Sequence, residues 1–423
     1  MSASLPPRPS AGGLALHRWA TRGTLFRLRS PAFWLFAAIV VVTGVLSIEQ
    51  QRAFRDLSPS GWALSWGLLV LYVLPVFLLV SVLDLYEREP LTLLAGAFVW
   101  GAVAATTLSA YANEGWGLVV SRVGGPGFAS RWTAALSAPI VEETLKMAGI
   151  VLLAILAGDE FDDVLDGFVY GALCGLGFAV VEDVFYFIGV FGGTPGGVLA
   201  GFWVRVVSSG LYGHVLYTGL SGMGVAYLVS RRGEEPLGRR VGIALALFLA
   251  GVAGHVLWNA PFLDLFPEQA DGVVDLLRIP LAAAVKGLPL LVFVVVLVRL
   301  AHRRERRWLE AALRSEVGRR GLTAAELGIL LEPGARRRAR RDVGTRAGPT
   351  AARLLRRLQR EQVNLAMASA RAGSPDEPAL TRQREYCKSL RDALHAIPGA
   401  AAAAPAPAPR IPGATTDPTP PQP

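Results

Sequence analysis

Charge and cysteine are both scarce in this chain. Asp, Glu, Lys and Arg make up 18% of its 423 residues, and Cys174 and Cys387 are its two cysteines. One lies in an apolar run and the other in an arginine-rich tail, which argues against a disulfide. Neither an H-E-x-x-H pair nor a G-x-S-x-G elbow occurs, so two familiar hydrolase signatures are missing. Cys174 has no base beside it in the sequence, which disfavours a thiol nucleophile. No repeat of fixed period or inverted symmetry is visible either, whereas many secondary transporters show one.

Apolar residues are plentiful. They form 52% of the chain, with a mean hydropathy of +0.42. They gather upstream of residue 300 in blocks of about 18 to 25 residues, long enough to cross a bilayer core as helices. The fold class expected is all-α: a polytopic transmembrane bundle of about eight spans with a basic, partly helical cytoplasmic tail. The spans fall at roughly 31–48, 62–83, 91–111, 133–157, 166–191, 198–230, 240–260 and 274–300. The block 198–230 is overlong and reads as a tilted helix or a broken pair. No persuasive cleavage site follows the first block, which reads as a retained span.

Charge sets the expected topology. Residues 301–423 hold 23 Lys and Arg against 12 Asp and Glu, so the net charge of +9 belongs to the tail. The arginine-bearing N-terminus, the loop RRGEEPLGRR at 231–240 and the run HRRERR at 302–307 all read as cytoplasmic by the positive-inside rule. The expected organisation is a basic N-terminus (1–30), a membrane bundle (31–300), a basic helical tail (301–396) and a disordered Ala/Pro-rich segment (397–423). Within the tail, Thr323 and Glu326 have capping-box spacing, and GARRRARRD reads as a solvated connector. Its arginines suit the lipid bilayer better than nucleic acid, because no aromatic side chains interleave with them.

Polar groups inside the apolar blocks demand a reason, because each ionised one costs roughly 2.5–3.5 kcal/mol near the bilayer centre. Glu142, Glu143 and Lys146 share one block, while Glu182 and Asp183 share the next. Arg205 and His214 lie in the overlong block, and His255 and Asn259 follow in GHVLWNAP. Counted inward along their spans, Glu142, Glu182, His214 and His255 lie at overlapping depths of roughly 8 to 24 Å. One polar cavity shared by four helices is the expectation. Glu142 and Lys146 are four residues apart and share a helix face, with Glu143 turned about 100° away. Lys146 reads as counter-charge, Arg205 and Asp183 as supporting groups, and Asp166 as a first-turn acid.

These blocks resemble a known family. EETLK at 142–146 is similar to the EExxK signature of PrsW-type intramembrane proteases, which are themselves similar to the CAAX prenyl protease and bacteriocin-processing group. DGFVYGALCGLGFAVVED at 166–183 resembles their second block, with Phe178 and Glu182 in FxxxE. HVLYTGLSG at 214–222 and HVLWN at 255–259 resemble the third and last. The second block commonly reads Glu-Asn where this chain has Glu182-Asp183, and Asn259 stands where aspartate also occurs.

The resemblance implies an intramembrane endopeptidase in the bacterial cytoplasmic membrane, acting on a membrane-anchored protein such as an anti-sigma factor. It implies Glu142 as the water-activating base and Glu182 as a second water-activating group. His255 and Asn259 then bind the oxyanion, and His214 donates or positions a proton. From the residues themselves, either glutamate of the 142/143 pair suits a general base. Metal-free glutamate catalysis is preferred. The other chemistry is a divalent metal such as zinc, drawn from Glu142, Glu143, Glu182, His214 and His255. A proton-coupled transporter with a buried Glu/His relay is the alternative function, and a noncatalytic scaffold a third.

Overall fold

A computed structural model describes residues 24–83, 89–210, 212–261, 272–372 and 374–400. The sequence before residue 24 and the Ala/Pro-rich tract beyond residue 400 lie outside them. Every regular element among the described residues is helical, and they divide into two compact units between Arg303 and Arg304.

The first unit opens with α1 (Pro31–Leu57) and α2 (Pro59–Ser81), hinged at Ser58, whose hydroxyl accepts from the Gly61 amide. α3 runs Leu91–Gly124 through a π segment at Trp100–Ala105. α4 (Pro126–Leu136) and α5 (Ala138–Leu156) follow. α6 covers Val164–Val190 and ends in a π turn at Tyr186–Val190. α7 (Pro195–Phe202) passes into a π segment, Trp203–Ser208. α8 (His214–Ser230), α9 (Leu237–Asn259) and α10 (Gly272–Arg314) complete the series. Prolines at the first helical turn, including Pro31, Pro59, Pro126, Pro139 and Pro195, lose no hydrogen bond there and preset the helical φ.

Among the described residues, six helices are long and apolar enough to cross a membrane: α1, α2, α3, α6, α9 and the stretch Leu277–Arg314 of α10. The expected eight included two helices outside this set. α5 carries Glu142, Glu143 and Lys146, and α8 has 17 residues. Two expected blocks are split. The block 133–157 breaks at Ser137, and 198–230 is a broken pair, α7 and α8, with Gly210 and Gly213 in the break. His214 is therefore the first residue of a helix and does not lie deep within a continuous span.

α6 forms the centre, with 89% of its most apolar window buried against 11–17% for α1, α2, α9 and α10. Those four turn apolar side chains such as Val41, Leu71, Leu74, Leu245 and Val292 outward, as a lipid-facing ring requires. α8 reaches α6 through a stripe of glycines four residues apart. A Cβ on Gly171 would meet the Thr218 carbonyl oxygen at 2.2 Å, and one on Gly175 the His214 carbonyl oxygen at 2.2 Å. Small residues let the backbones approach this closely. The same stripe places His214 against the core helix.

The second unit contains α11 (Ala324–Leu330), α12 (Pro333–Arg371) and α13 (Pro378–His395). Its own apolar core includes Val343, Leu354, Leu358, Leu365, Leu390 and Leu394. Thr323 and Glu326 form the expected capping box. GARRRARRD, expected as a connector, lies in α12: Pro333 starts the helix, and Arg340 Nε donates to Gln359 Oε1 at 2.6 Å. Arg384 donates to both carboxylate oxygens of the buried Glu316, at 2.6 and 2.8 Å.

Candidate active site

α5 starts after Ser137, so Glu142 and Glu143 lie in its second turn and project inward together with Lys146. Sequence spacing pairs Lys146 with Glu142 and turns Glu143 aside. In the structure the ammonium reaches both, at 3.3 Å to Glu142 Oε2 and 2.8 Å to Glu143 Oε1. Three and four residues are neighbouring helical positions, and a long flexible lysine spans them. All three side chains are buried.

Glu143 is fully engaged. Oε1 accepts from Lys146 and lies 3.2 Å from His255 Nδ1, while Oε2 accepts from the Thr218 hydroxyl at 2.9 Å. Glu142 is less occupied: Asn113 Nδ2 donates to Oε1 at 3.2 Å, and Ser137 in turn donates to Asn113. Glu142 Oε2 lies 3.9 Å from His214 Nδ1 and 4.0 Å from His255 Nε2.

The two imidazoles are each oriented by a carboxylate. Lys146 can only donate, so His214 Nδ1, 2.8 Å from its ammonium, is an acceptor and Nε2–H donates to Glu182 Oε2 at 3.0 Å. In His255, Nδ1–H points at Glu143, which leaves Nε2 as the acceptor facing Glu142. The rings lie 5.0 Å apart and nearly perpendicular, and Tyr217 stacks on His255. Phe178 closes the floor: Lys146 Nζ lies 3.6 Å from its ring centroid, and His214 packs on the same ring.

A second polar group adjoins the first. Arg205, on the π segment after α7, donates to Asp183 and to Glu182 and stacks on Tyr186 at 3.7 Å. The π register and the following break bring Arg205 and His214 to the same glutamate. Asn259 lies apart from the cluster, with its amide donating to the Ala134 carbonyl at 3.0 Å. Asp166 caps α6, accepting from the Asp163 amide. Asn113, Ser137, Thr218 and Tyr217 were not singled out in the sequence. Each is a common residue in an apolar helix, and only the cluster they face gives them meaning.

The donor set fits a divalent cation. Glu142, Glu143, His214 and His255 offer ligand atoms that all lie within 4.8 Å of one another. Four carboxylates, Glu142, Glu143, Glu182 and Asp183, face two basic side chains, Lys146 and Arg205, leaving two formal negative charges to balance. Carboxylates behind both imidazoles are the usual second layer of a metal site.

Comparison with known proteins agrees with this geometry. Protease PrsW of Bacillus subtilis (strain 168) is 33% identical over 106 residues, covering 25% of this chain and 45% of that protein. Protease PrsW of Geobacillus kaustophilus (strain HTA426) is 33% identical over 107 residues, covering 25% of this chain and 44% of that protein. The matched stretch thus spans less than half the length of these relatives. No solved structure matches. The sequence profile described as PrsW family intramembrane metalloprotease matches residues 89–300, just over half of the chain and including all of the residues that form the cluster. The chain belongs to the PrsW family.

Proposed function

We propose that this protein is an intramembrane endopeptidase that hydrolyses a peptide bond of a membrane-anchored protein at the cluster of Glu142, Glu143, His214 and His255. The observation that carries this reading is the convergence of those four side chains, from α5, α8 and α9, within 4.8 Å in the apolar unit. Membrane proteins keep such groups buried only where they act or pair.

Glu142 is the reacting carboxylate in this scheme. Asn113 holds its Oε1, and its Oε2 faces both imidazoles. Hydrolysis adds water across the C–N bond, and Glu142 takes the proton from the attacking water and returns one to the leaving amine. Glu143, with both oxygens engaged, orients His255. Glu182 and Arg205 orient His214, whose ring donates or positions a proton. Asn259, on the Ala134 carbonyl, is assigned to holding α9 and not to the oxyanion.

A metal would be held by Glu142, His214 and His255 in place of the Lys146 ammonium, with Glu142 then a ligand in place of a free base and with Glu143 and Glu182 beside the rings. Bound there, a divalent metal such as zinc supplies an acidified water and polarises the scissile carbonyl. The family description and the oriented imidazoles favour this version over metal-free chemistry. The substrate class we infer is a membrane-anchored protein, an anti-sigma factor being the candidate the family resemblance suggests. The membrane is taken as the bacterial cytoplasmic membrane, with both termini cytoplasmic.

The test is cleavage of co-reconstituted membrane-anchored substrates by wild type and Glu142→Gln in proteoliposomes. Loss of this carboxylate, as base or as ligand, predicts a rate lower by about 10²-fold or more in protein that is still folded. Cleavage at the wild-type rate by Glu142→Gln would end the assignment.

A further inference from the structure

α12 is bent at Gly348, where φ is 83° and Pro349 follows, into two helical pieces that pack on each other through Arg340 and Gln359. In the first piece Arg336 and Val343 are buried, while Arg337, Arg338 and Arg341 are exposed. In the second, Leu354, Leu358 and Leu365 are buried, while Arg353, Arg356 and Arg360 are exposed. At 100° per residue these arginines lie opposite the packed face of their own helical piece. The single exposed acid on α12 is Asp342.

Four arginines elsewhere in this unit pair with carboxylates. Arg314 pairs with Glu310, Arg320 with Glu385, Arg384 with Glu316 and Arg391 with Glu326. None of Arg337, Arg338, Arg341, Arg353, Arg356 and Arg360 is ion-paired with a described residue. Arg353 donates to the Thr350 hydroxyl, a neutral partner. Six like charges held on rigid helices, with Asp342 the one exposed acid on α12 to offset them, repel one another, so the arrangement is best satisfied by an external polyanion.

We propose that the outer face of α12 is a docking surface for anionic lipid headgroups. Guanidinium groups match phosphate oxygens bidentately. The unit follows a membrane-crossing candidate, Leu277–Arg314, with no long linker, so a lipid surface is always within reach of it. Residues 333–371 contain no Phe, Tyr or Trp, which removes the stacking platform that single-stranded nucleic acid needs. α12 also exposes no large apolar side chain, so the contact is electrostatic adsorption to headgroups without insertion into the acyl region. Such adsorption gains about fivefold in partition per arginine near an anionic surface and is weakened by salt. This inference does not depend on the catalytic reading of the cluster.

The experiment is hydrogen exchange of the full chain in nanodiscs of phosphatidylcholine alone and with about a third phosphatidylglycerol. Expected is slowing of exchange across residues 333–360 by about tenfold or more in the anionic discs only. The slowing should vanish at about 0.5 M NaCl. It should also vanish in a variant with Arg337, Arg338, Arg341, Arg353, Arg356 and Arg360 all changed to Gln, whose exchange over 378–395 stays native. Should that variant misfold, the lipid and salt comparisons on the wild-type chain still decide. Equal exchange in both discs overturns the proposal. So does protection that appears only when single-stranded RNA is added, which would make the face a nucleic-acid surface.

Discussion

The Lys146 ammonium lies 2.8 Å from His214 Nδ1 and the same distance from Glu143 Oε1, so one buried cation joins α5 to α8. Through it the histidine tautomer is fixed, with Nε2–H turned to Glu182. Removing one partner of a buried charge group leaves the others uncompensated, at a cost of about 3–5 kcal/mol. Lys146→Met should therefore lower the melting temperature sharply in detergent. Lys146→Met combined with Glu143→Gln should recover part of that loss, because it also removes a stranded carboxylate. A single variant as stable as wild type would mean that the lysine does not hold the site together.

Arg205 and His214 meet on the same oxygen of Glu182. Losing the guanidinium frees Glu182 and Asp183 from their shared partner and loosens the hold on His214. Arg205→Ala should lower kcat by about 10- to 100-fold, with little change in KM, as losses behind a ligand typically do. Arg205→Lys should recover only part, since an ammonium does not present the forked donors that reach both carboxylates. A change confined to KM would make Arg205 a substrate contact.

Metal content is measurable without any substrate. The purified chain should hold about one equivalent of a divalent metal, as a site with three protein ligands does. Glu142→Gln, His214→Ala and His255→Ala should each lose it, and Asn259→Ala should keep it. Elemental analysis after gel filtration reads this directly. Full peptidase activity after exhaustive chelation, with no metal bound, would restore the metal-free glutamate chemistry.

Burial pushes the Cys387 thiol far above its ordinary range in the second unit. The unfolded thiol ionises near pH 8.5, by rough model values. Below that pH both states keep the proton, and the contribution to stability is intact. As pH rises past it, the unfolded state alone loses the proton, so stability falls. Maleimide labelling of Cys387, located by peptide mapping, should follow unfolding of the unit and accelerate steeply above about pH 8.5. Fast labelling of the native chain at neutral pH would contradict this burial.

Much of the site was legible because buried charge is costly in an apolar helix. Glu142, Glu143, Lys146, Glu182, His214 and His255 stand out against runs of Val, Leu, Ala and Gly on that ground alone, and they do meet. Asn259 was singled out by its place four residues after His255 and is nonetheless elsewhere: one helical turn beyond the histidine, it finds the Ala134 carbonyl. Asn113 and Thr218 were illegible, because an amide or a hydroxyl in a helix costs little and signals nothing until a carboxylate faces it.

The sequence by itself determined that the chain is helical, that its apolar blocks suit a bilayer, and which ionisable groups need company there, because hydropathy and the cost of burying charge are local properties. Tertiary structure decided which group meets which. The break before His214, the close approach of α8 along the α6 glycines and the reach of Lys146 to both glutamates depend on contacts between distant segments. Helical period alone cannot supply these, since it fixes directions within one helix and says nothing about what lies across from it.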